Sequence, residues 1–213
     1  MSCMEDVLEI YARPYDARYP VVNMDEASRQ LLEDTHEVIR LADGSTRTDY
    51  EYIRHGQRNI FMATEALAGW RTAVVTERHT QTDWARFIKE HVIDRYPEAE
   101  KITLIIDNLN VHTTASFYVA YPPEEARRLI NRLDIHYTPK HGSWLNIAEC
   151  ELSVLQNQCF KDRRIPTETA LSEEITAWAN RRNSSQTGVD WQFTTKDART
   201  KLKRLYPIVI EGN

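Results

Sequence analysis

Glycine is scarce. The chain has 6 in 213 residues, and no two lie within ten positions of each other. That excludes a Gly-x-Gly-x-x-Gly dinucleotide loop and a phosphate loop with two glycines five apart. The Gly-x-Ser-x-Gly elbow of serine hydrolases is missing too. Cysteine is as rare: Cys3, Cys150 and Cys159 form no Cys-x-x-Cys pair and are too few for a disulfide framework. A reducing, cytoplasmic compartment is the expectation. The 7 histidines include no His-Glu-x-x-His. Long apolar runs are absent; the strongest, Ile102 to Ile106, is five residues long and includes Thr103, against the ~20 that a membrane helix needs. The first residues carry Glu5 and Asp6 where a signal peptide carries bases. Neither a membrane partner nor a nucleotide cofactor is expected.

Charge is plentiful. There are 27 Lys+Arg against 32 Asp+Glu, a net of −5, and 41% of residues are hydrophobic. Such a chain folds around a core rather than staying disordered. The charge is uneven: residues 160–213 hold 10 bases against 7 acids. A basic C-terminal stretch on an acidic body hints at a polyanion partner, but on charge alone a solvated helix face is the preferred reading.

Periodicity predicts the elements. A first strand runs from Pro20 to Asp25. Strands Asn59–Leu67 and Trp70–Thr76 flank Ala68 and Gly69 as a hairpin. Trp84, Phe87, Ile88, His91 and Val92 recur on one face of a helix from Thr80 to Arg95, with Thr80 or Thr82 as its cap. Lys101–Asp107 is a strand suited to mid-sheet. A helix follows over Pro122–Arg132, then a strand over Asp134–Thr138. Three more helices are expected over Trp144–Phe160, Thr167–Arg182 and Thr194–Leu205. A hairpin group followed by alternating helices and strands predicts an α/β domain with a mixed sheet.

Two predicted strands end in aspartate, Asp25 and Asp107, and ligands of α/β sheets gather beyond the carboxyl ends of strands. If these strands are neighbours, the carboxylates stand side by side. Their repulsion is relieved by a hard divalent cation, which favours oxygen ligands. The plainer alternative is that each Asp caps a turn. Strand alternation sends Asp25 and Glu26 to opposite faces, so only one can lie beside Asp107. In the run Asp107-Asn-Leu-Asn-Val-His112, the groups of Asn108, Asn110 and His112 are suited to phosphate contact, to orienting the acid or to closing a turn. The stretch from Lys140 to Glu149 is the other dense one. Lys140 and His141 offer phosphate contacts, and Ser143 can cap the helix. Asn146 and Glu149 share a helix face. Glu149 lies on an apolar stripe with Leu145 and Leu152, where a carboxylate needs a partner, whereas Glu151 projects about 200° away.

Val-Val-Asn-Met-Asp25-Glu, then Ile-Ile-Asp107-Asn-Leu-Asn-Val-His112, then His-Tyr-Thr-Pro-Lys140-His141-Gly-Ser-Trp-Leu-Asn146-Ile-Ala-Glu149 resemble the DDE transposases of the mariner superfamily, most of all its bacterial insertion-sequence branch. The resemblance extends from about Tyr11 to about Arg204 and includes Asp49-Tyr-Glu-Tyr52 and Arg54-His-Gly56. It implies a ribonuclease H-like fold, a mixed five-stranded sheet flanked by helices. It also implies that Asp25, Asp107 and Glu149 are the catalytic acids and the metal ligands, with Asp25 chosen over Glu26 and Glu149 over Glu151. Two Mg²⁺ ions, replaceable by Mn²⁺, are expected. The implied reaction is cleavage of a DNA strand followed by attack of the freed 3′-hydroxyl on target DNA. Transposon ends and target DNA are then the partners, and the enzyme is a homodimer. Asn108, His112, Lys140, His141 and Asn146 are candidate DNA contacts. The catalytic domain is expected over 17–206, with a linker-like segment 1–16 before it, a tail 207–213 after it, and no room for the helix-turn-helix domains that such enzymes carry. A metal-dependent nuclease that does not join strands is the first rival, and an inactive DNA-binding or dimerising remnant is the second.

Overall fold

The computed structural model describes residues 1–36, 39–40, 46–47, 50–140 and 142–206. Asp49, His141 and the tail 207–213 lie outside the described residues. In chain order the elements are α1 (Ser2–Tyr11), β1 (Val21–Asp34), β2 (Ile39–Arg40), β3 (Thr46–Arg47), β4 (Tyr52–Glu65), β5 (Trp70–Thr76), α2 (Gln81–Phe87), β6 (Ile102–Ile106), α3 (Ala115–Ala120), α4 (Pro123–Ile130), β7 (Leu133–Tyr137), α5 (Ile147–Leu155), α6 (Glu168–Ser184) and α7 (Thr195–Lys201).

Five strands form one sheet in the order β5-β4-β1-β6-β7. The β1/β4 and β4/β5 pairs are antiparallel, while β1/β6 and β6/β7 are parallel. The predicted mixed sheet is therefore present. β2 and β3 form a separate two-stranded ribbon. Every residue of β6 is buried, as a central strand covered on both faces requires.

Alternation sorts the strand side chains into two layers. Val22, Met24, Phe61, Ala63, Ile102, Leu104 and Ile106 pack with Trp84 and Phe87 of α2, Phe117 of α3 and Leu129 of α4. On the opposite face Ile60 and Met62 meet Leu152 and Leu155 of α5 and Ile175 and Trp178 of α6. Ile105 points to that second side and packs with Val7, Leu8 and Ile10 of α1 and Ala198 of α7. Arg71, Glu151 and Arg182 form a buried ion cluster that ties β5, α5 and α6 together: Glu151 lies 3.0 Å from Arg71 Nε and 2.8 Å from an Arg182 terminal nitrogen.

Three expectations need correction. The linker-like segment expected over 1–16 contains a packed helix, with the apolar side chains Met4, Val7, Leu8 and Ile10 forming the buried face of α1. β1 does not stop at Asp25 but continues to Asp34 in a long hairpin with β4, bulged between Gln30 and Leu32. The helix expected over Trp144–Phe160 is broken. Ser143–Leu145 is a 3₁₀ turn, Asn146 rather than Ser143 caps α5, and the helix widens into a π turn over Gln156–Phe160. The predicted helix from Thr80 is capped as expected by a reciprocal Thr80–Asp83 box, and it too ends in a π turn, Ile88–Ile93.

Candidate active site

Register brings the first two acids together. Asn23 on β1 stands opposite Ile105 on β6. Two residues further on, the neighbouring parallel strands deliver Asp25 and Asp107 at the same end of the sheet. The third acid comes from α5. Asn146 accepts a hydrogen bond from the Ala148 N–H at 3.1 Å and donates one to the Met24 carbonyl at 3.0 Å. One side chain thus caps the helix and bolts its start to the residue before Asp25. Glu149 follows in the first turn. All three acids line one open cleft of about 690 Å³, together with Glu26, Arg29, Asn108 and Lys140.

The electrostatics are those of crowded negative charge. The Asp25 carboxylate accepts the Glu26 N–H at 2.8 Å. Burial nevertheless pushes its pKa up to about 7, with the charges of Asp107 and Glu149 adding to the effect. Oε2 of Glu149 is buried with no hydrogen-bond partner among the described residues. Asp107 is better supplied: its Oδ1 accepts the Leu109 N–H at 3.2 Å and faces His112 Nδ1 at 2.5 Å. His112 is fully buried. Burial would lower its pKa, but Asp107 and Glu26 outweigh burial and hold it at about 9. At neutral pH the ring is therefore an imidazolium, with Nδ1 on Asp107 and Nε2 3.6 Å from Glu26 Oε2. Burial opposes ionisation of Glu26 as well, yet His112 and His79 hold it below the usual carboxylate range. His79 Nδ1 lies 2.8 Å from Glu26 Oε1.

Asp25 and Glu26 do take opposite faces. Asp25 looks toward α5 and Glu149, whereas Glu26 looks toward the α2–α3 layer, where the His112 ring rests 5.6 Å from the Trp84 ring. Among the described residues, no three His, Cys, Asp or Glu side chains already form a group that could hold a metal ion. The acids line an open cleft rather than a closed cage.

The candidate DNA contacts fare unevenly. Lys140 is exposed at the rim of the cleft. Asn108 is exposed too, but its amide donates to the Thr138 carbonyl at 2.5 Å and laces the ends of β6 and β7 together. His112 and Asn146 are buried and committed to internal partners, although Asn146 still borders the cleft. Within the basic C-terminal stretch, Arg182 is spent on Glu151 and Arg199 on Glu5. Two groups were not foreseen. One is the chain His79–Glu26–His112 behind Asp107. The other is Arg29, which lines the cleft beside Phe160 and donates to the Arg163 carbonyl at 3.0 Å. The fitness of His112 to orient the acid was anticipated, whereas His79, Arg29 and the part of Glu26 in the row were not.

The sequence pattern described as "DDE superfamily endonuclease" matches residues 20–172. No curated protein sequence matches the chain. Among solved structures, the Mos1 mariner paired end complex with Mn is similar at a TM-score of 0.56 and 10% identity, over 87% of this chain and 55% of that one. The Mos1 transposase paired-end complex with left transposon end gives 0.58 and 11%, over 87% and 57%. The Mos1 paired end complex with Mg gives 0.53 and 12%, over 87% and 57%. This chain thus spans little more than half the length of those chains, and at such identity the likeness is one of fold, the ribonuclease H-like fold. On the match over residues 20–172, the chain belongs to the DDE superfamily endonucleases.

Proposed function

We propose that this chain is the catalytic domain of a transposase, and that Asp25, Asp107 and Glu149 hold the divalent ions with which it cuts DNA and joins the freed end to a target. One observation carries the proposal: β1, β6 and α5, remote in sequence, bring these three acids to one cleft. The donor set suits a hard cation. It consists of carboxylate oxygens, one of them buried without a partner, and one of the acids has its pKa raised among its neighbours.

When bound, a pair of Mg²⁺ or Mn²⁺ ions would activate the attacking oxygen and stabilise the leaving one in an in-line displacement at phosphorus. The chain's own residues do the rest. Asp25, Asp107 and Glu149 supply the negative charge. His112 meets Asp107 Oδ1 through Nδ1 and so orients that carboxylate. Lys140 offers a cation to a DNA phosphate at the rim. Assignment to the bacterial insertion-sequence branch, action as a homodimer on transposon ends and target DNA, and residence in the cytoplasm belong to the same proposal. The motif blocks around Asp107 and Glu149 support the branch, and the sparse cysteines support the compartment.

The test is a strand-nicking and joining assay with plasmid DNA and a 3′-hydroxyl oligonucleotide in Mg²⁺ or Mn²⁺. Metal-dependent nicking and joining, both lost in Asp107→Asn, is the expected result. Nicking without joining would make the protein a simple nuclease. Activity that Asp107→Asn leaves intact would sink the assignment of the site.

A further inference from the structure

We infer that Glu26 is a positioning residue for Asp107, acting through His112. The inference rests on the metal-site reading above and adds to it a support that none of the three acids provides. The His112 ring is clamped from several sides. It is fully buried, lies against Trp84, which in turn meets Phe117 edge-on at 5.3 Å, and its carbonyl accepts the Tyr137 hydroxyl at 3.0 Å. A ring so held cannot swing to find a partner. Its two nitrogens therefore fix the places of two carboxylates: Nδ1 meets Asp107 Oδ1 at 2.5 Å, and Nε2 faces Glu26 Oε2 at 3.6 Å. Among the described residues neither Glu26 Oε2 nor His112 Nε2 has a hydrogen-bond partner, so the two buried atoms have each other as their charged counterpart. The other Glu26 oxygen is anchored by His79 at 2.8 Å, at the surface.

The row His79–Glu26–His112–Asp107 thus runs from the loop before α2, through β1, to the end of β6. Adjacent residues of one strand serve the two sides of the site, Asp25 facing the cleft acids and Glu26 facing the support. Carboxylates and imidazoles behind metal ligands orient them, and losing such a partner typically weakens metal affinity or activity about 10–100-fold.

The measurement is Mn²⁺ binding to the whole chain by electron paramagnetic resonance, comparing wild type, Glu26→Gln, His79→Gln and Asp107→Asn, with thermal unfolding in chelator recorded for each. Glu26→Gln keeps the shape of the side chain and removes its charge. It should raise the Mn²⁺ concentration at half-saturation by roughly tenfold while the protein remains folded at the temperature of the titration. His79→Gln, at the exposed end of the row, should shift binding in the same direction by less, and it serves where Glu26→Gln does not fold. A purely structural Glu26 would lower the unfolding temperature and leave Mn²⁺ affinity unchanged. That result, with Asp107→Asn losing Mn²⁺, overturns the inference and leaves the metal site standing. Wild type that binds no Mn²⁺ overturns the metal site and this support together.

Discussion

Glu149 and Glu151 stand two residues apart on one helix and have opposite environments. Glu149 opens on the cleft with a buried oxygen that lacks a partner. Glu151 is 3% exposed and is held by Arg71 and Arg182. Helical spacing separates the two, but it does not reveal the arginines, which come from positions 80 residues before and 31 after. Their effects on stability should differ accordingly. Glu151→Ala strands the Arg71 guanidinium, 1% exposed, in the core, and removing one partner of a buried pair costs about 3–5 kcal/mol. Glu149→Gln removes one of three mutually repelling charges and should leave metal-free stability unchanged or higher. Urea unfolding of both variants in chelator checks this. A Glu149→Gln protein as unstable as Glu151→Ala would mean that Glu149 holds the fold.

At the level of elements, the hairpin was the most legible part. Its second strand and its turn at Gly69 follow from β-prone runs around one glycine, β5 spanning the predicted Trp70–Thr76, whereas β4, expected over Asn59–Leu67, runs over Tyr52–Glu65. Gly69 also does something that the pattern could not announce. It adopts φ +64°, and a Cβ there would come within 2.6 Å of the Gln186 backbone, because the turn is laced to the segment that follows α6, where the Val189 N–H donates to the Ala66 carbonyl at 3.0 Å. Gly56 has φ +88°, but only open space and a flexible arginine lie around it. Gly69→Ala should therefore cost about 2–4 kcal/mol, from backbone strain plus displacement of a neighbour that cannot yield, and Gly56→Ala about 1 kcal/mol from strain alone. Equal losses in a denaturant titration would refute the packing argument. The break at Asn146 was hidden because Leu145 and Leu152 keep helical spacing across it, and Asn146 has the same capping chemistry as Ser143.

α1 was illegible for another reason. Its partners Ile105 and Ala198 are distant in sequence, so a short amphipathic stretch near a terminus gives no sign of being packed. Glu5 reinforces the docking, with Arg199 at 2.7 Å and the Tyr206 hydroxyl at 2.9 Å. Hydrogen bonds from Arg199 and then Tyr206 lower its pKa from 4.5 to about 2. A depressed carboxyl pKa stabilises the fold fully above its ordinary value, and the benefit is lost as pH falls through the folded value. The thermal midpoint of wild type should therefore exceed that of Glu5→Gln above about pH 4.5, with the gap narrowing toward pH 2. A gap that stays constant over that range would exclude the ionised Glu5 as its source.

The five-stranded sheet and its flanking helices form a body whose site is completed by side chains from three separated stretches of chain. Asp107 was legible as a strand end and Glu149 as an acid on an apolar stripe, whereas Asp25, read as a strand end, lies within β1, which runs on to Asp34. The histidine–glutamate row behind Asp107 was not legible, since nothing local joins His79 to Glu26 or Glu26 to His112. Crowding three acids costs the metal-free protein stability, and a cation that binds the folded cleft alone returns it by mass action. At a free concentration 100 times its dissociation constant, the gain is about 2.7 kcal/mol. For a chain of 213 residues, each kcal/mol moves the thermal midpoint by about 2–4 °C. Saturating Mg²⁺ or Mn²⁺ should thus raise the midpoint by roughly 5–10 °C over that in chelator, and Asp107→Asn should abolish most of the rise. Because β1, β6 and α5 all border the site, the shift should appear as one cooperative transition moving as a whole. A rise of the same size in Asp107→Asn would assign the stabilisation to surface carboxylates and remove the cleft from the metal chemistry.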